Sequence, residues 1–214
     1  KNPIVLTFPC ASGISCNHTF KVSVNIGLKR PGGSTWESQY DGVFIVLNEK
    51  HQVLCWQLTS TTSFDEVKDM LEHLKNRLKS QKKALDYIIV DNCCILRKKM
   101  QLIFGNIQVF LDIFHAISRI TKTISKKHPL FKSFCTNLSS VFCQTSDNGP
   151  RRRQATPGIT EILFNIKLLE IKYTTIKTHD NKPFLNYKTV HQLQLLKKHI
   201  ERGCLSHRDR KSTR

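Results

Sequence analysis

Acidic residues are scarce in this sequence. Its 214 residues include 16 Asp and Glu against 34 Lys and Arg, which gives a formal net charge of +18. A surplus of this size favours a polyanionic partner, because Lys and Arg release counterions when they contact phosphates. Nucleic acid is the first candidate and an anionic membrane surface is the second. A basic protein without any polyanionic partner is the alternative.

Long apolar runs and CxxC pairs are missing too. No stretch reaches the ~18 apolar residues of a membrane span, and DNA rather than a membrane is the partner we expect. Several of the eight cysteines lie in apolar runs, which favours reduced, buried thiols of a cytosolic or nuclear protein over a disulfide framework. A zinc site from Cys135, Cys143, His199 and Cys204 has an unspecific spacing, and we do not predict one. The chain also lacks an initiator Met, and we expect it to be a fragment or the product of an interrupted gene.

The first half of the chain alternates between strand and helix patterns. Apolar and polar residues alternate at 18–26, and two further apolar segments follow at 44–48 and 53–59, so we predict an antiparallel three-stranded meander. A helix is predicted from Ser63, its N-cap, with Glu66 completing a capping box. Apolar residues at helical spacing then predict one buried face. They are Val67, Met70, Leu71, Leu74 and Leu78.

Four further elements complete the first half. We predict a buried strand at 85–91, a short helix at 97–104 that ends at Gly105, a strand at 107–112 and a helix at 114–125. The resulting order is β-β-β-α-β-α-β-α, the layout of a ribonuclease H-like mixed sheet, although other α/β folds share such an order. The predicted fold class is therefore α/β.

The second half is basic at first and then helical. No acid occurs from Ile113 to Ser146, and helices are predicted at 159–176 and 187–202. We therefore predict a core at 1–128, a basic segment and linker at 129–158, and a helical C-terminal part at 159–214.

One acid stands in a position typical of metal-dependent chemistry. Asp91 follows the buried segment Ile88-Ile-Val90, where sites of α/β proteins are usually built. Nucleases of the ribonuclease H-like fold hold two divalent ions with carboxylates at the ends of adjacent strands, and Mg²⁺ prefers such hard oxygen ligands. The alternative is that Asp91 caps the next segment or binds a backbone amide.

Several short blocks along the chain occur in a familiar order. They are Asn17-His-Thr-Phe-Lys21, Val46-Leu-Asn-Glu-Lys50 with Val53-Leu-Cys-Trp-Gln-Leu-Thr59, Val90-Asp-Asn-Cys-Cys94, Leu111-Asp-Ile-Phe-His115 and His199-Ile-Glu-Arg-Gly-Cys-Leu-Ser206. Together they resemble eukaryotic DDE-type transposases and the proteins derived from these transposable elements, over nearly the whole chain. The resemblance implies a ribonuclease H-like core with a helical C-terminal part, Mg²⁺ or Mn²⁺ as cofactor, DNA as partner and a nuclear location. It leaves a homo-oligomer open.

The resemblance also assigns site residues, and two of the assignments are defects. By position, Asn17 matches the first catalytic acid, which is usually Asp in the family, and Asp91 matches the second. Asp112 and His115 match an Asp-x-x-His element, in which we expect His115 to be structural or close to DNA. No Glu matching the third acid follows Ser206. We therefore expect an incomplete copy that holds metal poorly and is catalytically defective.

The basic residues of the second half are candidates for contact with a DNA backbone. They are Lys122, Lys126, Lys127, Lys132, Arg151, Arg152 and Arg153. The alternative is a solvated basic face. Three functions stay open: a defective transposase derivative that binds DNA, an active transposase of which this chain is a truncated part, and a domesticated protein-interaction module. A nuclease for RNA–DNA hybrids is a weaker fourth option.

Overall fold

A computed structural model describes most of the chain, namely residues 12–20, 27–29, 32, 36–38, 40–142, 144–145, 154–155, 157–177 and 181–205. Compactness divides the chain into two units, here called unit 1 (residues 1–110) and unit 2 (residues 111–214). Each unit is described by itself below. The domain bounds predicted from the sequence stay predictions.

Unit 1 contains a mixed five-stranded sheet. The strands of the unit are β1 (Gly13–Thr19), β2 (Gly27–Lys29), β3 (Trp36–Ser38), β4 (Gly42–Asn48), β5 (Val53–Thr59), β6 (Tyr87–Val90) and β7 (Gln108–Leu111), whose last residue is counted in unit 2. The large sheet has the order β5-β4-β1-β6-β7, while β2 and β3 pair with each other. β1 pairs antiparallel with β4 and parallel with β6, and β4 pairs antiparallel with β5. The predicted α/β class is confirmed by this mixed sheet and the six helices of the described residues.

The first predicted strand is wrong in its bounds. β1 begins at Gly13, five residues before the predicted start, and it ends at Thr19, while 21–26 lie outside the described residues. Gly13, Ser15 and Asn17 are weak strand formers, which hid this strand from the sequence pattern. Pairing with a neighbour on each side overrides that weak preference, and it buries Ile14 and Cys16 in the core.

The first helix is held at its start by two side chains, only one of them as predicted. Helix α1 (Phe64–Ser80) has Ser63 as N-cap, whose hydroxyl accepts from the Asp65 amide. Glu66 does not close a capping box with Ser63. Its carboxylate instead accepts from the Ser60 and Thr61 backbone amides at 2.6 and 2.9 Å, which ties the end of β5 to the helix.

The second helix begins earlier than predicted. Helix α2 (Cys93–Phe104) starts directly after the two-residue turn at Asp91 and Asn92, rather than at residue 97. It ends at Gly105, as predicted, where a φ of 83° is a conformation that favours glycine. The early start places Asp91 between the end of β6 and the first turn of a helix.

Unit 2 is mainly helical. Its helices are α3 (Ile113–Thr121), α4 (Phe131–Ser140), α5 (Ile159–Thr174) and α6 (Tyr187–Glu201), and short strands β8 (Gln144–Thr145) and β9 (Gln154–Ala155) pair with each other. Helix α4 was not predicted, and α3 ends four residues before its predicted end. Phe134, Tyr173 and Phe184 meet in an aromatic cluster that forms part of the core. In the part of the chain that the structure describes, no helix is both long and apolar enough to cross a membrane.

Candidate functional site

The structure brings Asn17 and Asp91 together in unit 1. The parallel register between β1 and β6 pairs Cys16 with Val90, and one further step along both strands sets Asn17 beside Asp91. β1 is the middle strand of the sheet and β6 is its neighbour. Asp91 directly follows β6 and Asn17 lies two residues before the end of β1, so the pair lies towards the carboxyl ends of these parallel strands. This is the end of a parallel sheet at which ligands and substrates usually bind.

A direct hydrogen bond joins the two side chains. The Asn17 amide nitrogen donates to Asp91 Oδ1 at 2.8 Å and to the Cys16 carbonyl oxygen at 2.9 Å, the amide orientation that satisfies both acceptors. The other end of the amide lies 3.3 Å from the Ser15 hydroxyl oxygen. Asn17 therefore donates a hydrogen bond that the Asp91 carboxylate accepts. A second carboxylate at position 17 would instead repel that of Asp91.

A small cavity of about 60 Å³ lies next to this pair. Its lining in unit 1 combines polar and apolar side chains. They are Cys16, His18, Phe44, Thr62, Phe64, Val67, Asp91, Leu96 and Met100. A cavity of this size has room for a few water molecules. Asp91 is the sole carboxylate in this lining, so the cavity carries at most one full negative charge.

His18 is a residue of this cavity that the sequence analysis did not single out. Its Nε2 is buried and has no hydrogen-bond partner, and its ring packs edge-on against Phe44 with centroids 4.8 Å apart. Burial lowers the pKa of His18 from its ordinary value, and the carboxylate of Glu66 opposes that shift. The two-residue period of a strand was the signal: His18 continues the buried series of Ile14 and Cys16.

The thiols near this site are held in their neutral form. Burial raises the pKa of the Cys16 thiol, with a further contribution from Cys55. Burial also raises the pKa of Cys55 to about 11, against the opposing charge of Arg77. A thiol is reactive as its thiolate, so neither cysteine is suited to nucleophilic chemistry.

Within unit 1, the lining of the cavity offers one carboxylate to a divalent ion. That carboxylate belongs to Asp91, and it accepts a hydrogen bond from the Asn17 amide nitrogen. Mg²⁺ and Mn²⁺ sites for two-ion chemistry need several carboxylate oxygens held in fixed geometry. We therefore derive no catalytic step through a metal ion here.

Asp112 and His115 lie in unit 2, at the start of α3. Asp112 is the N-cap of this helix, and its Oδ1 accepts from the amides of Phe114 and His115 at 2.9 and 3.3 Å. Potential ligand atoms of Asp112 and His115 lie within 4.8 Å of each other. The His115 ring packs edge-on against Phe114. Asp112 therefore has a capping role, and His115 has at least a packing role.

The predicted basic residues fall partly inside the described residues. Lys122, Lys126, Lys127 and Lys132 are exposed, while Arg151, Arg152 and Arg153 lie outside the described residues. Four residues were considered as a zinc site from the sequence. Of these, Cys143 also lies outside the described residues, and His199 and Cys204 have potential ligand atoms within 4.8 Å of each other.

Comparison with known proteins returns no match, either to a protein-family model or to a curated protein sequence. The function is therefore inferred from two features of the structure. They are the contact between Asn17 and Asp91 and the exposed basic residues of unit 2.

Proposed function

We propose that this chain is the ribonuclease H-like core of a transposase-derived protein that is catalytically defective and binds DNA. The observation that carries the proposal is the hydrogen bond between Asn17 and Asp91 at 2.8 Å, on neighbouring strands. Two positions more than seventy residues apart in the sequence meet where the family resemblance expects a pair of catalytic acids. One of the two is an amide.

The topology of the sheet supports the same proposal. An antiparallel meander of β1, β4 and β5 is extended by β6 and β7 on the other side of β1, with α1 and α2 between successive strands. A ribonuclease H-like sheet has this order, with its first acid on the middle strand and its second at the end of the next parallel strand. Asn17 lies on the middle strand and Asp91 follows the next parallel strand, which supports the proposal.

Loss of one acid explains the expected lack of catalysis. An amide oxygen is a neutral and weaker ligand than a carboxylate, so the change from Asp to Asn removes a full charge from a site for divalent cations. In this chain the amide nitrogen also occupies the space beside Asp91 Oδ1. The change therefore removes one of the negative charges that a divalent ion requires.

Exposed lysines of unit 2 support binding to DNA. Lys122, Lys126, Lys127 and Lys132 are exposed, and none of the four is in an ion pair within the described ranges of the chain. The stretch from Ile113 to Phe142 contains no acid to oppose them. Each phosphate contact contributes about 0.9 to the slope of log affinity against log salt, so four contacts contribute about 3.6.

A salt titration of duplex binding tests the proposal. We expect the wild type to bind a duplex of arbitrary sequence at low salt, with an affinity that falls steeply as salt rises. Changing the four lysines of unit 2 to glutamine should weaken binding and reduce the slope by about 3 to 4. The matched control changes four exposed lysines of unit 1, Lys50, Lys75, Lys79 and Lys98, and has the same net charge.

Two outcomes of this experiment contradict DNA binding at unit 2. The first is no binding of the wild type at low salt. The second is an equal loss of slope in both variants, which would mean that net charge alone attracts the duplex.

One feature favours the alternative of a protein-interaction module. Helix α5 exposes a second apolar stripe, formed by Phe164, Leu168 and Ile171, which are 57%, 47% and 60% exposed. Spacings of four and three residues put these side chains on one face. Sedimentation of the wild type and of a Phe164→Glu, Leu168→Glu variant tests this alternative: a wild-type oligomer that the variant dissociates would support it.

A further inference from the structure

An exposed aromatic ring lies at the start of helix α6 in unit 2. Tyr187 is 82% exposed, and among the large apolar and aromatic side chains that the structure describes only Leu102 is more exposed. Its ring stacks on that of His191, one turn further along the helix, with centroids 6.2 Å apart and planes 21° from parallel. The pair therefore presents flat, unsaturated surface to solvent at a defined place.

The backbone at Tyr187 is anchored on both sides to the turn that follows α3. Asn186 donates from its side-chain amide to the Thr123 carbonyl oxygen at 2.6 Å. Thr189, which is fully buried, shares a hydroxyl–hydroxyl contact of 2.8 Å with Thr123. The Asn186 side chain also accepts from the Thr189 amide and so caps the helix. Tyr187 thus has a fixed position beside residue 123, which reduces the entropy lost when a ligand binds.

The same turn carries positive charge. Lys122 precedes Thr123 directly, Lys126 and Lys127 lie in the next turn of the same connection between α3 and α4, and Lys188 follows Tyr187. All four are exposed, and no ion pair to them occurs in the described residues of unit 2. This cluster of an exposed ring and four cations is here called the Tyr187 platform.

We propose that the Tyr187 platform binds single-stranded DNA, with an unpaired base stacked on Tyr187 and the phosphates along Lys122, Lys126, Lys127 and Lys188. The inference rests on the proposed DNA binding and narrows it to one kind of substrate. Aromatic rings on a basic surface are the usual way to bind unpaired bases without reading sequence. A duplex keeps its base faces stacked on one another, so it meets the lysines but not the ring.

The change in DNA affinity on Tyr187→Ala distinguishes base stacking from attraction between charges. Stacking of one base on an aromatic side chain contributes about 1–3 kcal/mol, which corresponds to roughly 5- to 150-fold in affinity. Tyr187→Ala leaves the charge of the protein unchanged. It should therefore weaken binding to a thymidine oligonucleotide by at least about fivefold and leave duplex binding within about twofold.

Fluorescence anisotropy with labelled oligonucleotides provides the test. Wild type, Tyr187→Ala and Tyr187→Phe are titrated with a single-stranded thymidine oligomer and with a duplex of the same length, at one salt concentration. Tyr187→Phe keeps the ring and should retain wild-type affinity for the single strand. Leu102→Ala, which removes an exposed apolar side chain of unit 1, is the control and should change neither affinity.

The outcomes distinguish this inference from the proposed function. A wild type that binds neither oligonucleotide overturns both. A wild type that binds both, with Tyr187→Ala reducing the two affinities equally or not at all, overturns the stacking platform and leaves DNA binding by the lysines standing. A selective loss for the single strand that Tyr187→Phe restores supports the platform.

Discussion

Replacing Asn17 by aspartate would set two carboxylates against each other in unit 1. The Asn17 amide nitrogen lies 2.8 Å from Asp91 Oδ1, so the new carboxylate would start within about the same distance. Two unit charges ~3 Å apart repel by about 5 kcal/mol at an effective dielectric constant near 20. Protonating one acid of reference pKa ~3.9 instead costs about 4 kcal/mol at pH 7 and about 1.5 kcal/mol at pH 5. Protonation of one carboxyl group costs less free energy than the repulsion, so it sets the upper limit of the destabilisation.

These magnitudes predict a loss of stability that depends on pH. We expect Asn17→Asp to lower the free energy of unfolding by about 2–4 kcal/mol at pH 7, and by about 2 kcal/mol less at pH 5. The sign follows from linkage: the pair holds a proton more tightly in the folded state, so stability is lost as pH rises above the unfolded value of ~3.9. Mg²⁺ or Mn²⁺ should recover part of the loss, because an ion bound only to the folded state stabilises it.

Urea denaturation at both pH values, with chelator and with added Mg²⁺, measures these effects. Asn17→Ala is the control, because it removes the hydrogen bond to Asp91 without adding charge. It should cost about 1–3 kcal/mol at either pH and should not respond to the metal. Equal losses for the two variants at both pH values, unaffected by Mg²⁺, would refute the argument that this position is the remnant of a carboxylate pair.

Two further predictions concern unit 1. His18 has a pKa lowered by burial, so the folded state takes up its proton less readily than the unfolded state, and stability should fall as pH drops below the unfolded value of ~6.5. Urea denaturation between pH 8 and 5.5 should show this fall at no more than about 1.4 kcal/mol per pH unit from one group. His18→Gln should lessen the dependence, whereas the same change at exposed His73 should leave it. Gly13→Ala should cost about 1–3 kcal/mol in thermal unfolding, because a Cβ there would overlap the Tyr87 ring. Gly158→Ala, in open space, should cost under about 1 kcal/mol; equal losses would contradict the packing argument.

The local sequence pattern predicted those strands and helices whose apolar residues recur at the period of the element and are buried in the fold. Strand β5 has the predicted bounds, and α1 begins after its predicted N-cap, because apolar residues recur at the period of each element. The bounds of β1 were wrong because its residues are poor strand formers and its partners lie more than twenty residues away in β4 and more than seventy residues away in β6. Helix α4 was not predicted because it has few apolar positions and lies in a segment rich in basic residues, which is typical of a linker.

The candidate site was predictable in position but not in its interactions. The resemblance set Asn17 and Asp91 at the first two acid positions, and the parallel register places them side by side. The donor role of Asn17 depends on the register between distant strands and on the turn into α2, neither of which has a local signature. The same holds for His18, whose neighbours come from β4 and α1.

Direct titration with Mn²⁺ tests the central claim, that Asn17 is the substituted member of a catalytic acid pair with Asp91. Calorimetry would compare the wild type with Asn17→Asp and with the double variant Asn17→Asp, Asp91→Asn. We predict weak or undetectable binding by the wild type, binding at least about tenfold tighter by Asn17→Asp, and loss of that gain in the double variant. Wild-type binding as tight as that of Asn17→Asp, or no gain from the new carboxylate, would contradict the claim.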